Sequence, residues 1–326
     1  MKQAFAKIKE RLKSAKSAVV TAHVDPDGDA VGSMLAMGMV LEQFGLKVQY
    51  YCADFPPRIY RFLPGSEKIK RDVPAGLIFD LAVVLDSSDV SRIGQGVDLR
   101  QIARLVVNID HHPDNTMFGD INYVTRASSV AEEVYDLAKY LGAKIDRRIA
   151  DCLYAAMITD TGNFRYENTG AKTFLIAAEL LKAGVNTHEI STRIYDNRSL
   201  AAVRIAALAM SGMQITPDHK AAWTVVTGEM MDQTGAKGED LTGLVDHLRS
   251  IEGVEVAVLF REDKDGTVKV NFRSKDRLNV SEIARRFGGG GHVKASGATL
   301  EGKTAEIVKR VIAEVEKYLQ AAKFLV

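Results

Sequence analysis

The sequence predicts an α/β protein: a parallel sheet with helices on both faces, a helical connector, and a smaller mixed α/β domain at the carboxyl end. Three observations predict it. The first half alternates short β-branched runs with stretches of helical periodicity, as a helix-covered parallel sheet requires. At 326 residues the chain is too long for one typical small core. After Thr216-Pro217-Asp218 the pattern changes to strand runs joined by a hairpin signal.

The elements follow in order. The stretch MKQAFAKIKERLKSAK reads as a basic amphipathic first helix and lacks the apolar core and cleavage site of a secretory signal. Ser17 to Ala22 is a buried strand. Ala30 to Phe44 has helical periodicity and ends at Gly45, a helix stop. Leu46 to Cys52, Leu81 to Leu85 and Leu105 to Ile109 read as further strands, the last two ending at Asp86 and Asp110. Ser129 to Leu141, Asp146 to Ile158 and Ala171 to Ala183 read as helices. Thr187 to Gly212 is helical and Ala-rich, a connector. Ala221 to Thr227, Val254 to Arg261 and Val268 to Arg273 read as strands, with Asp265-Gly266 as the turn before the last. Leu241 to Ser250, Val280 to Phe287 and Thr304 to Ala322 read as helices. The domain boundaries that result are 1–186, 187–213 for the connector, and 214–326.

Composition narrows the function classes. The chain is 46% hydrophobic without a long apolar run, so no membrane span is expected. A formal net charge of +1 argues against coating long nucleic acid, duplex included, because many phosphate contacts need a basic excess. A short anionic ligand in a local basic pocket remains compatible. The two cysteines, Cys52 and Cys152, sit in apolar surroundings and read as buried reduced thiols of a cytoplasmic protein.

Chemistry concentrates at the strand ends. His23-x-x-x-Asp27-x-Asp29 follows the first strand, Asp86 another, and Asp110-His111-His112 the next; Asp160 lies in Ile158-Thr159-Asp160-Thr161-Gly162. Singly, each has a plain structural role: a turn, a helix cap, a surface pair. Together, at successive element ends, they predict a pocket for two divalent ions, because open α/β sheets gather ligands at the carboxyl ends of their strands. His23 and Asp27 would face one ion, Asp29, His111 and Asp160 the other, and Asp86 would bridge them. Mixed imidazole and carboxylate donors favour Mn²⁺ over thiolate-seeking metals. Ions roughly 3.5–4 Å apart clamp the oxygens of a phosphoryl displacement. His188, His219 and His247 have no such company and read as surface residues.

In the second domain, Gly288-Gly289-Gly290-Gly291-His292 is costly in backbone entropy unless backbone must approach a ligand. Arg273, Ser274, His292 and Lys294 add donors suited to a phosphate. Arg285 and Arg286 read as a solvated helix face.

These residues resemble the DHH phosphoesterase superfamily. The matching stretches are His23-Val-Asp-Pro-Asp27-Gly-Asp29, Asp86-Ser-Ser-Asp89, Asp110-His111-His112 and Asp160-Thr161-Gly162-Asn-Phe164-Arg165. Asn271-Phe-Arg273-Ser274 and the glycine-histidine run are similar to the DHH-associated domain of one branch. Within the superfamily the chain looks most like the bifunctional oligoribonuclease and pAp phosphatase group, the nano-RNases.

The resemblance implies a two-domain clamp that hydrolyses short oligoribonucleotides, dinucleotides and 3′-phosphoadenosine 5′-phosphate (pAp). It implies two Mn²⁺ ions, one on His23, Asp27 and Asp86, the other on Asp29, Asp86, His111 and Asp160. Asp110 would orient its neighbours and His112 would contact the scissile phosphate. Arg273, Ser274 and Gly289, Gly290, Gly291 and His292 would grip the nucleotide. Cyclic or linear dinucleotides (c-di-AMP, pApA, pGpG) are compatible substrates. A non-catalytic nucleotide- or RNA-binding regulator is the alternative of another class. Analogy alone suggests a homodimer.

Overall fold

The β-branched runs become strands. The computed structural model describes residues 2–73, 76–94, 97–263, 265–275, 278–291 and 293–322. It divides into two units, Met1–Asn197 and Arg198–Val326.

The elements of the first unit, in chain order, are α1 (Lys2–Leu12), β1 (Ser17–Thr21), α2 (Gly28–Gln43), β2 (Lys47–Tyr51), β3 (Leu81–Leu85), α3 (Leu99–Ile102), β4 (Val106–Asp110), β5 (Ile121–Val124), α4 (Val130–Leu141), α5 (Arg147–Asp160), α6 (Ala171–Lys182) and α7 (Thr187–Tyr195). The five strands are parallel in the order β2-β1-β3-β4-β5. Alternation along each strand feeds two cores. Ala18, Val20, Leu81, Val83, Leu85, Val107 and Ile109 face the larger core with α1, α2, α4 and α5. Val19, Ala82, Val84 and Val106 face a smaller one, closed by Ile93, Leu99 and Ala103. The second face is thus covered by short pieces: α3 and the 3₁₀ turn Val90–Ile93. The first helix buries Phe5, Ile8 and Leu12, with Phe5 edge-on to Tyr123.

The strand order reverses direction between β1 and β3. That switch point opens a crevice beyond the strand carboxyl ends. Glycines let α2 and α5 close beneath it. A Cβ on Gly32 would lie 2.4 Å from the Cys152 carbonyl oxygen, and one on Gly28 would lie 2.4 Å from Thr159 Oγ1. Only hydrogen at these positions permits the approach, and the seam carries the start of α2 to the end of α5.

The second unit contains α8 (Leu200–Ser211), β6 (Gln214–Ile215), β7 (Ala221–Val226), α9 (Gly228–Thr234), α10 (Leu244–Arg249), β8 (Val256–Glu262), β9 (Thr267–Ser274), α11 (Val280–Arg286), β10 (Gly290–Gly291), β11 (Ala295–Glu301) and α12 (Thr304–Ala322). Its sheet runs β10-β11-β9-β8-β7-β6 and is mixed, with only the β7–β8 pair parallel. Val258, Phe260, Val270 and Phe272 pack against Ile283, Val311 and Val315.

Several details differ from the sequence reading. The helical stretch from Thr187 to Gly212 is two helices, broken at Asp196 to Ser199, where the Ser199 hydroxyl caps α8 by accepting from the Ala202 amide. β5 was not foreseen: it is a four-residue edge strand after a polar loop. β11 was not foreseen either, because Ala-Ser-Gly-Ala lacks β-branched character. Cys52 and Cys152 are buried and free, as expected.

Candidate metal centre

The strand ends of the first unit bring the foreseen residues together. His23 follows β1, Asp86 follows β3, Asp110 ends β4 and leads to His111 and His112, and Asp160 ends α5. Asp27 caps α2, accepting from the Ala30 amide at 3.0 Å, so its ordinary helix-cap role is also fulfilled. Asp86 adopts φ +53°, unusual for a non-glycine residue and typical of functional turns.

Asp86 is the hub. Its Oδ2 lies 3.5 Å from His23 Nε2, and its Oδ1 lies 3.4 Å from His111 Nε2 and 3.5 Å from His112 Nδ1. His23 Nε2 is also 4.0 Å from Asp27 Oδ1, and His111 Nδ1 is 3.7 Å from Asp160 Oδ2. Three donor groups result, each with ligand atoms within 4.8 Å of one another: His23, Asp27 and Asp86; Asp29, His111 and Asp160; Asp86, His111 and His112.

The surroundings fit cations. Nδ1 of His23 sits 2.6 Å from the Val24 carbonyl and Nδ1 of His111 sits 3.2 Å from that of Ala127. Protons on those nitrogens leave each Nε2 lone pair facing Asp86, the arrangement metal-bound histidines use. Asp86 Oδ1 is buried without a hydrogen bond. Asp29 is buried and held by three donors: the Val130 amide at 2.6 Å, the Ala131 amide at 3.2 Å and the Ser33 hydroxyl at 2.8 Å.

Electrostatics point the same way. Burial pushes Asp160 up to about 7, Asp27 and Asp86 adding to it against the pull of His111. Burial together with Asp86 and Asp160 pushes Asp29 well above the usual carboxylate range. Burial opposes charge on His23, but Asp86 and Asp27 outweigh it and raise the imidazole to about 9. Crowded carboxylates of this kind are relieved by a bound cation.

Next to the hub, His112 Nδ1 lies 2.7 Å from Asp110 Oδ1, and Asn115 Nδ2 donates to Asp110 Oδ2 at 2.6 Å. Asp110 is fully buried. The pair fixes the ring of His112. One contributor was missed in the sequence: Glu133, buried on α4, accepts from the Thr125 hydroxyl at 2.6 Å, and the Thr125 amide binds the Asp110 carbonyl at 3.1 Å. Burial raises Glu133 to about 9. No motif marks it; the packing of α4 against β4 brings it there.

In the second unit, Arg273 is half-buried, with Nε 3.9 Å from Asp246 Oδ1. Ser274 is buried and its hydroxyl donates to the Leu278 carbonyl at 2.8 Å. The glycine run is an edge strand: Gly290 pairs with Gly297 and Gly291 with Ser296. Arg273 faces Ala295 on the other side of β11, about 10 Å or two strand spacings from the run. Gly289 is required by packing, since its Cβ would meet the Gly297 carbonyl at 2.1 Å. Gly290 has open space there, so packing does not explain it. His292 lies outside the described residues. His188, His219, His247, Arg285 and Arg286 are exposed, as the sequence suggested.

Comparison with known proteins gives the family. The DHH family N-terminal domain matches residues 17–157 and the DHHA1 domain matches residues 220–321. The bifunctional oligoribonuclease and PAP phosphatase NrnA of Thermus thermophilus is 36% identical over 98% of this chain and 95% of its own. The chain belongs to the DHH family. A second DHH relative, the protein of the same name from Bacillus subtilis, is 29% identical over 90% of this chain and 92% of its own. The crystal structure of an exopolyphosphatase-related protein from Bacteroides fragilis superposes with a TM-score of 0.91 at 27% identity, covering 100% of this chain and 98% of that one. Among the described residues of this DHH protein, no helix is long and apolar enough to cross a membrane.

Proposed function

We propose that the protein is a two-metal phosphoesterase that hydrolyses short oligoribonucleotides and pAp to mononucleotides, with Mn²⁺ as its metal. The observation that carries this reading is Asp86, whose two oxygens face two different histidines at 3.5 and 3.4 Å. A carboxylate so placed is suited to bridge a pair of ions. His23, Asp27 and Asp86 would hold one; Asp29, Asp86, His111 and Asp160 the other. The substrate class is supported by the relatives named oligoribonuclease and PAP phosphatase, which this chain matches along nearly its whole length.

When bound, such an ion pair supplies an activated water and neutralises charge on phosphoryl oxygens. The chain's own groups do the rest. Asp110 fixes the His112 ring through Nδ1, and the ring would stabilise a phosphoryl oxygen or protonate the departing 3′-oxygen. Asp29, preset by its three donors, needs no reorganisation to accept a cation. In the second unit, Arg273, Ser274, Gly289, Gly290, Gly291 and His292 would grip the nucleotide, with Gly290 leaving room for it.

The test is release of phosphate from pAp and of mononucleotide from pApA in the presence of Mn²⁺, with pGpG and a cyclic dinucleotide in the same panel. The unmodified protein is expected to turn over pAp and pApA. Asp86→Ala is expected to lose at least about 10²-fold in kcat, as removal of a group at a charge-stabilising centre does. Nucleotide binding without turnover by the unmodified protein would make it a regulator instead.

A further inference from the structure

The pair of Asp110 and His112 is itself held from behind. Asn115 lies in the loop that follows Asp110-His111-His112 and is half-buried. Its Nδ2 donates to Asp110 Oδ2 at 2.6 Å and to Asn108 Oδ1 at 2.8 Å, with the Ser87 carbonyl as a further acceptor at 3.3 Å. Its Oδ1 accepts from the Met117 amide at 2.7 Å. That last bond fixes which way the amide points: the oxygen faces the backbone of its own turn, so the nitrogen faces the acceptors.

Asn108 completes the arrangement. It is a fully buried polar side chain within β4, between the apolar Val107 and Ile109. Its amide nitrogen donates to the Ser87 carbonyl at 3.1 Å, which leaves its oxygen to accept from Asn115. Ser87 directly follows Asp86, so both asparagines grip the chain beside the hub carboxylate. Thr116 ties the same two loops again, its amide donating to the Ser88 carbonyl at 2.8 Å. Among these side chains Asn115 alone touches both Asp110 and the loop of Asp86. With Oδ2 committed to Asn115, the Asp110 carboxylate cannot rotate without losing a bond in a buried place, and its Oδ1 stays against Nδ1 of His112.

We infer that Asn115 is a positioning residue for the reaction: acting through Asp110, it sets the ring of His112 in register with the loop that carries Asp86. The inference rests on the phosphoesterase reading, in which His112 meets the phosphoryl group, and adds the side chain that holds the pair in place.

The test is a double-mutant cycle on the full chain with pAp. Rates are taken at saturating Mn²⁺ and counted per Mn²⁺-loaded centre by electron paramagnetic resonance, so molecules that fail to fold drop out. Asn115→Ala is expected to lower kcat by about 10–100-fold, the usual cost of losing a group that orients a site residue, with KM unchanged. Asn115→Asp keeps the shape but replaces the donor by an acceptor, and should lose as much. In a His112→Ala background, Asn115→Ala should cost nothing further, because the residue it acts through is gone. Multiplying losses in the double variant, which would mark a residue that merely braces the fold, would overturn the assignment. Full kcat in either single variant would do the same. The ring signals of His112, assigned by their loss in His112→Ala, supply a second reading by NMR on the Mg²⁺-loaded chain. They should be sharp in the unmodified protein and broadened by ring motion in Asn115→Ala; equal line widths would count against the tie. A protein that turns over no phosphoester would fail the phosphoesterase reading alone, since the ring signals would still report the tie.

Discussion

Glu133 lies behind the candidate centre, joined to it through Thr125 and the Asp110 carbonyl. Its carboxyl is fully buried, with Thr125 on one oxygen and no partner on the other. Burial raises it to about 9 against an ordinary 4.5. The folded state therefore binds a proton that the unfolded state has released, between those two values. Stability is full below pH 4.5 and declines as pH rises toward 9. Glu133→Gln removes the titration, so the metal-free variant should show a flatter stability–pH profile over that window. It should gain on the order of 2 kcal/mol relative to the unmodified protein near pH 8. Urea titrations of both proteins at pH 5, 7 and 8.5 check this; parallel profiles would contradict it. The residues gathered at the hub were legible as a group in the sequence, because His23, Asp86, His111 and Asp160 combine metal-binding side-chain types with positions at element ends. Glu133 was not. A buried glutamate looks ordinary in a sequence; its raised pKa comes from what packs around it.

At the scale of elements, the α2–α5 seam sets the distance between the first motif and Asp160. Gly32 lies against the Cys152 carbonyl, a backbone atom that cannot rotate away. Gly32→Ala should therefore push the helices apart and cost about 1–3 kcal/mol, the usual range for overpacking. Because Asp29 and Asp160 ride on those helices, the variant should also bind Mn²⁺ more weakly. Chemical denaturation and metal titration measure the two effects; an unaltered metal affinity would show that the seam does not govern the centre. The periodic elements of both units were readable from hydrophobic pattern, since β1, β3 and β4 are buried on both faces and α1, α4 and α12 are amphipathic. β5 and β11 were not readable. One is short and lies at the sheet edge, the other is built of small residues that gain strand structure only from neighbours. The glycine run reads as a loop in sequence, but β10 pairs with β11, which makes it a strand.

For the whole molecule, charge balance bears on the choice of substrate. With 43 basic and 42 acidic residues, the chain has no surplus for binding many phosphates at once. Turnover of a dinucleotide should exceed that of an RNA of roughly 50 nucleotides, and the dinucleotide rate should depend only weakly on salt. Equal rates on both substrates would refute this. The two-part organisation was legible from the change of pattern after Pro217. The division of the 187–213 stretch, with α7 in one unit and α8 in the other, was not: both parts have helical periodicity, and the alanines that gave the stretch its character lie in α8, α7 having none.

The carboxylates and imidazoles at the hub come from positions as far apart in sequence as His23 and Asp160, spanning three strands and two helices. A cation seated among them would act as a rivet through most of the first unit, so that losing the ion and losing the fold become linked events. At a hundredfold excess over its dissociation constant, such an ion would add about 2.7 kcal/mol to stability. Metal supply in the cell would then govern how long the enzyme lasts as well as how fast it works.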